Sequence, residues 1–131
     1  MTDVPSIVSH LYLGTADFDA AVAVYDKVLP TVGAKRIMNH PGAAAFGKQF
    51  PEFWIQTPID GDAASAGNGT HIAFIAASKE EVHAFWDAAL AAGATPAGEP
   101  GPRPAYGDAY YACYVRDLDG HKIEATFYAV E

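Results

Sequence analysis

The chain is short of cysteine, of basic residues and of long apolar runs. Among its 131 residues there is one cysteine, Cys113. A single thiol closes no internal disulfide, so the fold must rest on its core, and a reducing, cytoplasmic setting is expected. Lys and Arg number 8 against 16 Asp and Glu, a net charge of 8 − 16 = −8. An acidic chain repels phosphate backbones, so nucleic acid is not expected as a partner. No apolar run reaches the ~20 residues that a bilayer-spanning helix needs, so no membrane association is expected either. Met1-Thr2-Asp3-Val4-Pro5 has neither a basic region nor an apolar stretch and does not read as a secretory signal. There is no nucleophile elbow, phosphate loop or dinucleotide fingerprint. What the chain does have is core-forming material. Half of its residues are hydrophobic and 18% are charged, which excludes disorder and predicts one globular domain over 1–131.

The sequence repeats itself once. The stretch HLYLGTADFDAAVAVYDKVLPTVGA begins at His10, and HIAFIAASKEEVHAFWDAALAAGAT begins at His71, an offset of 71 − 10 = 61. At that offset His10 matches His71, Tyr25 matches Trp86, Asp26 matches Asp87 and Leu29 matches Leu90. Two copies are too few for a solenoid and predict a pseudo-twofold domain. Each copy reads as a strand followed by a helix. Ile7–Leu13 alternates as a strand does, and Asp17–Thr31 carries an apolar stripe at helical spacing. In the second copy Thr70–Ala77 reads as a strand, and Ser78-Lys79-Glu80-Glu81 is a capping box opening a helix that Gly93 ends. Short extended runs follow at Ala34–Met38, Ala43–Gly47 and Phe53–Thr57. In the second half Pro96–Asp108 reads as a loop. A hairpin then joins Tyr110–Arg116 to His121–Tyr128 through Asp117-Leu118-Asp119-Gly120. The turn-forming segment Pro58–Gly69 separates two βαβββ modules, 5–58 and 69–131.

Three residues stand out as candidate metal ligands. His10 and His71 occupy equivalent places in the repeat and should point into one concavity. On the last strand Lys122, Glu124, Thr126 and Tyr128 share a face, which leaves Glu124 mid-strand among aromatics. Two imidazoles and a carboxylate make a facial site with open positions, suited to Fe, Mn, Zn, Ni or Co as divalent ions. The plainer reading keeps all three as ordinary polar residues. His40, His83 and His121 read as structural or solvated, and the Asp117/Asp119 spacing is explained by the turn. Arg103, Tyr106, Tyr110 and Tyr111 could line a pocket, with Arg103 as an anion clamp. With a two-residue turn, Cys113 pairs with Glu124 and shares its face; one bulge reverses that.

The segments Val8-Ser9-His10-Leu11, Asp17-Phe18, Tyr25, Thr70-His71-Ile72-Ala73-Phe74 and Arg116–Glu124 together resemble the vicinal oxygen chelate superfamily. That group includes glyoxalase I, extradiol dioxygenases, and fosfomycin and bleomycin resistance proteins. The resemblance implies an α+β fold: two βαβββ modules forming an open, cup-shaped eight-stranded barrel. It places His10, His71 and Glu124 at the ligand positions of the first, fifth and eighth strands. Trp54 stands where glyoxalase I has a fourth, glutamate ligand, which argues against lactoylglutathione lyase activity. The implied function is a metal-dependent lyase, isomerase or dioxygenase acting on a small substrate chelated through neighbouring oxygens. Tyr12, Trp54, Tyr110 and Tyr111 would wall its pocket. The alternative is a metal-free binding protein of the bleomycin-binding type. Small members of the group are usually homodimers, and in some the cup is completed by modules from two chains.

Overall fold

The computed structural model describes residues 6–128. Met1–Pro5, and with them the reading of the N-terminus and the expected module ends at 5 and 131, lie outside the described residues. The chain runs β1 (Leu11–Gly14), α1 (Phe18–Val28), β2 (Lys35–His40), β3 (Ala43–Gly47), β4 (Phe53–Gln56), β5 (His71–Ile75), α2 (Lys79–Ala91), β6 (Thr95–Pro102), β7 (Tyr110–Arg116) and β8 (Lys122–Tyr128). It is an α+β fold of two four-stranded sheets with matching orders, β1-β4-β3-β2 and β5-β8-β7-β6. In each sheet the first strand runs parallel to the last, and the remaining pairs are antiparallel. The sheets are not joined to one another, so the cup is open. No helix among the described residues is long and apolar enough to cross a membrane.

Local chemistry explains where the elements differ from expectation. The first strand begins at Leu11 rather than Ile7, because its partner β4 begins at Phe53, two residues after Pro51. Leu11 N–H reaches Glu52 O at 2.9 Å, and His10 therefore precedes the strand. Helix α1 stops at Val28, and Leu29–Val32 tightens into a 3-10 turn. Pro30 has no N–H to continue the helical ladder, and Gly33 closes the turn at φ 84°. The segment expected to be a loop, Pro96–Asp108, contains β6. Its sequence, TPAGEPGP, is tolerated because β6 is an edge strand and its pairing is interrupted by two register shifts. Ser78 caps its helix as read, and Asp17, read only as the start of the first helix, caps α1; each accepts a backbone N–H three residues on.

The two modules share one core. Tyr25 on α1 lies 5.0 Å from Phe53 of β4, Phe53 lies 5.0 Å from Phe74 of β5, and Phe74 lies 6.0 Å from Phe85 of α2, centroid to centroid. This chain of rings crosses from one module to the other, and Tyr25 and Phe85 are fully buried. The hairpin turn adds polar ties. Tyr25 donates to Asp117 Oδ2 at 2.6 Å, and Ala16 N–H donates to Asp119 Oδ1 at 2.8 Å. Burial, and then the neighbouring Asp117 carboxylate, hold the Tyr25 hydroxyl well above its ordinary range.

Candidate metal site

The register of β7 and β8 decides what faces what. Tyr114 pairs with Glu124 and Cys113 with Ala125. The expected Cys113–Glu124 pairing is therefore off by one residue. Arg116 pairs with Lys122, so the connection holds one residue more than a two-residue hairpin would, and a one-residue slip reverses every side chain. Cys113 faces α2, with Sγ 3.5 Å from Val82 O, and burial pushes its thiol up to about 11. A thiol held neutral in this way is no nucleophile.

Tyr110, Tyr114 and Glu124 thus share the open face of the second sheet. Glu124 is buried, at 2% exposure, and both of its oxygens are engaged. His71 Nε2 lies 2.7 Å from Oε1, and Tyr110 donates its hydroxyl to Oε2 at 2.5 Å. The register brings His71 and Glu124 together: β5 is parallel to β8, and His71 and Ala73 stand beside Lys122 and Glu124. Tyr114 lies edge-on to His71, 5.6 Å away. Burial, then the hydrogen bond to Glu124, raises Tyr110; burial, then the charge of Glu124, pushes Tyr114 up to about 12.

The nearby cations do not neutralise Glu124. Lys122 Nζ lies over the Tyr114 ring at 5.0 Å, and the Arg103 guanidinium lies over the same ring at 5.2 Å. Arg103 also donates to the carbonyls of Glu99, Gly101 and Pro102, so most of its fork is spent on its own loop. Among the described residues the ion pairs are Arg36–Asp26 and His71–Glu124. A buried carboxylate served by one imidazole and one phenol is a donor set that fits a divalent cation.

The other sequence candidates are spread more widely. Tyr111 faces the opposite way from Tyr110 and meets His83 of α2, whose Nε2 is 2.6 Å from its hydroxyl. His10 is exposed and lies 2.9 Å from Ser9 Oγ through Nδ1. It does not join His71 and Glu124 in a three-residue cluster; among the described residues the one such cluster is Asp117, Asp119 and His121. Instead His10 heads an aromatic row on the open face of the first sheet. His10 meets Tyr12 edge-on at 5.4 Å, Tyr12 stacks on Trp54 at 5.4 Å, and His40 stacks on the same indole at 6.0 Å. His40 was read from sequence as a turn residue, and Tyr114 was not singled out. Alternation across the hairpin from Glu124 would have found Tyr114 had the register been known.

Fold and repeat converge on one family. A family model described as the glyoxalase/bleomycin resistance protein/dioxygenase superfamily matches residues 7–125, and the chain belongs to this family. A solved glyoxalase/bleomycin resistance protein from Albidiferax ferrireducens T118 is 35% identical, with a TM-score of 0.87 over 95% of this chain and 100% of that one. The genomically encoded fosfomycin resistance protein FosX from Listeria monocytogenes is 22% identical, with a TM-score of 0.70 over 97% of each chain. TioX from Micromonospora sp. ML1 is 22% identical, with a TM-score of 0.65 over 93% of this chain and 96% of that one. These last two share the fold. No curated protein matches the chain.

Proposed function

We propose that the protein is a metal-dependent enzyme acting on a small oxygenated substrate that offers two neighbouring oxygens. The observation that carries this reading is Glu124: buried, mid-strand, held by His71 and Tyr110, and without a Lys or Arg partner among the described residues. His71 and Glu124 would hold a divalent ion such as Fe, Mn, Zn, Ni or Co. Once bound, such an ion supplies charge stabilisation to an enolate-, alkoxide- or catecholate-like oxygen. The chain's own groups do the rest. Tyr110 orients the carboxylate through Oε2. Tyr114 and the two cations over its ring give the site an apolar wall with a positive rim. Tyr12 and Trp54 would bind a flat substrate by stacking. This is a cytoplasmic reading, with a small molecule as the partner.

The third ligand, His10, would come from the first module of a second copy in a homodimer. Ile7 is 99% exposed and Ile75 is 78% exposed, and they flank a cleft of ≈760 Å³ between the segment leading into β1 and the strand β5. Apolar side chains this exposed beside unpaired strand edges mark a surface that another chain covers. Mixing His10→Ala with Glu124→Ala chains tests the sharing. Mixed dimers would regain one intact site and its metal; if mixing regains none, sharing is wrong.

Elemental analysis tests the site itself. The wild type should lose one equivalent of metal per chain on Glu124→Ala, and likewise on His71→Ala. Unchanged metal content in both variants would overturn the assignment. The Tyr12–Trp54–His40 stack favours a second reading, a metal-free protein that sequesters an aromatic or cationic compound. Ligand binding that survives exhaustive chelation would select it.

A further inference from the structure

We propose that Asp117, Asp119 and His121 form a second divalent-cation site, one that fastens the β7–β8 turn to the first module. One ligand atom from each lies within 4.8 Å of the others. Donors ~2.0–2.2 Å from a common ion stand at most about 4.4 Å apart, so a small closure of the turn brings them into coordination.

The observation that turns an acidic turn into a site is His121. It is 3% exposed, and its Nε2 lies 2.7 Å from Gly14 O. A carbonyl only accepts, so Nε2 carries the hydrogen. Nδ1 is also buried and has no hydrogen-bond partner. In the neutral ring it is a bare lone pair, a buried acceptor left unsatisfied at a cost to stability. The two carboxylates of the cluster have no cationic partner either. Neither appears in an ion pair among the described residues: Asp117 is met by neutral donors, the Asp119 and His121 amides at Oδ1 and the Tyr25 hydroxyl at Oδ2, and the adjacent Arg116 donates to Gly120 O at 3.0 Å. A divalent cation would satisfy the lone pair and balance the carboxylates together. One imidazole with two carboxylates suits Mn, Zn or Fe(II) better than the all-oxygen preferences of Ca or Mg.

The place gives the site its role. Each residue of the cluster already reaches the first module: His121 to Gly14 O, Asp119 to Ala16 N–H, and Asp117 to the Tyr25 hydroxyl. A cation here would lock the turn against the β1–α1 connection, so its readout is stability rather than turnover.

The test is a Mn²⁺ titration of metal-free protein, followed by calorimetry and thermal unfolding. The main measurement uses Glu124→Ala, which removes the other site while leaving this turn untouched. That variant should still bind one equivalent of Mn²⁺ per chain. Its Tm should rise by about 8 °C at free Mn²⁺ ~100-fold above Kd. Asp119→Asn keeps an acceptor for Ala16 N–H and removes the charge; added to Glu124→Ala, it should abolish both effects. If Glu124→Ala binds no Mn²⁺ and shows no shift, the turn is not a cation site, and the loss of one equivalent from the wild type still supports the first site. If the double variant binds as Glu124→Ala does, the residues assigned here are wrong.

Discussion

In the first module Tyr12, Trp54 and Ala45 stand side by side on the open face of β1, β4 and β3; in the second the same three places hold Ala73, Glu124 and Tyr114. The backbone frames match strand for strand, so the difference lies in side-chain volume and charge. One face has its large rings on the edge strand and its neighbour, leaving an alanine inside. The other has its alanine at the edge, a carboxylate next, and a tyrosine inside. The first face presents stacked rings and the second a buried carboxylate, and the fold alone predicts neither. Duplication supplies two equivalent frames; substitution within them makes one face an aromatic row and centres the other on a buried carboxylate.

The comparison can be broken first in the core. Phe85 is fully buried in the second module, while the matching Val24 of the first is smaller and 4% exposed. Phe85→Ala should cost about 3–5 kcal/mol, against clearly less for Val24→Ala, measured by urea unfolding. Equal losses would mean that the modules do not share the ring chain described above. Next comes the polar tie. Tyr25→Phe removes a donor from the buried Asp117 and should cost about 1–3 kcal/mol. Trp86→Phe, its counterpart, has no such partner among the described residues and should cost less. At the open face, Gly98 is close enough to Tyr114 that an added Cβ would lie 2.7 Å from its ring. Gly98→Ala should displace Tyr114 and cost about 1–3 kcal/mol. The matching pair in the first module, Met38 beside Ala45, has no ring at the second position.

The smallest effect is on pH dependence. Tyr110 and Tyr114 titrate above their ordinary value of 10.0, Tyr114 at about 12. Groups raised in the folded state bind their protons more tightly there. Their contribution is complete below pH ~10 and is lost as pH climbs through the folded values. Unfolding free energy should therefore fall from about pH 10 to pH 12, and Tyr114→Phe should flatten that fall. An unchanged slope would mean that burial and the Glu124 charge do not raise Tyr114.

The 61-residue repeat was legible because it is written in residue types: histidine, aromatic, aspartate and leucine recur at matched places. So was the Ser78 cap, since it acts on an amide three residues away. His71 and Glu124 were read, with His10, as one candidate ligand set, and the parallel pairing of β5 with β8 puts His71 Nε2 2.7 Å from Glu124 Oε1. The strand β6 was not legible. Prolines and glycines read as loop, and only an edge position with shifted register lets them stand in a sheet. The roles of Tyr110 and Tyr111 were not separable either, because they differ only in which way the strand turns each one. His121 was read as structural or solvated from its place beside a turn, and it is buried because that turn docks on the other module.

By itself the sequence determined the duplication, the two strand-helix starts and the residue types able to hold a metal. These follow from local periodicity and capping, whose physics acts over a few residues. Tertiary structure decided the hairpin register, the face of Cys113, the neighbours of Glu124, and the separation of His10 from His71. Each of these depends on a contact between residues far apart in the chain, and a shift of one residue in pairing turns a buried ligand into a core side chain.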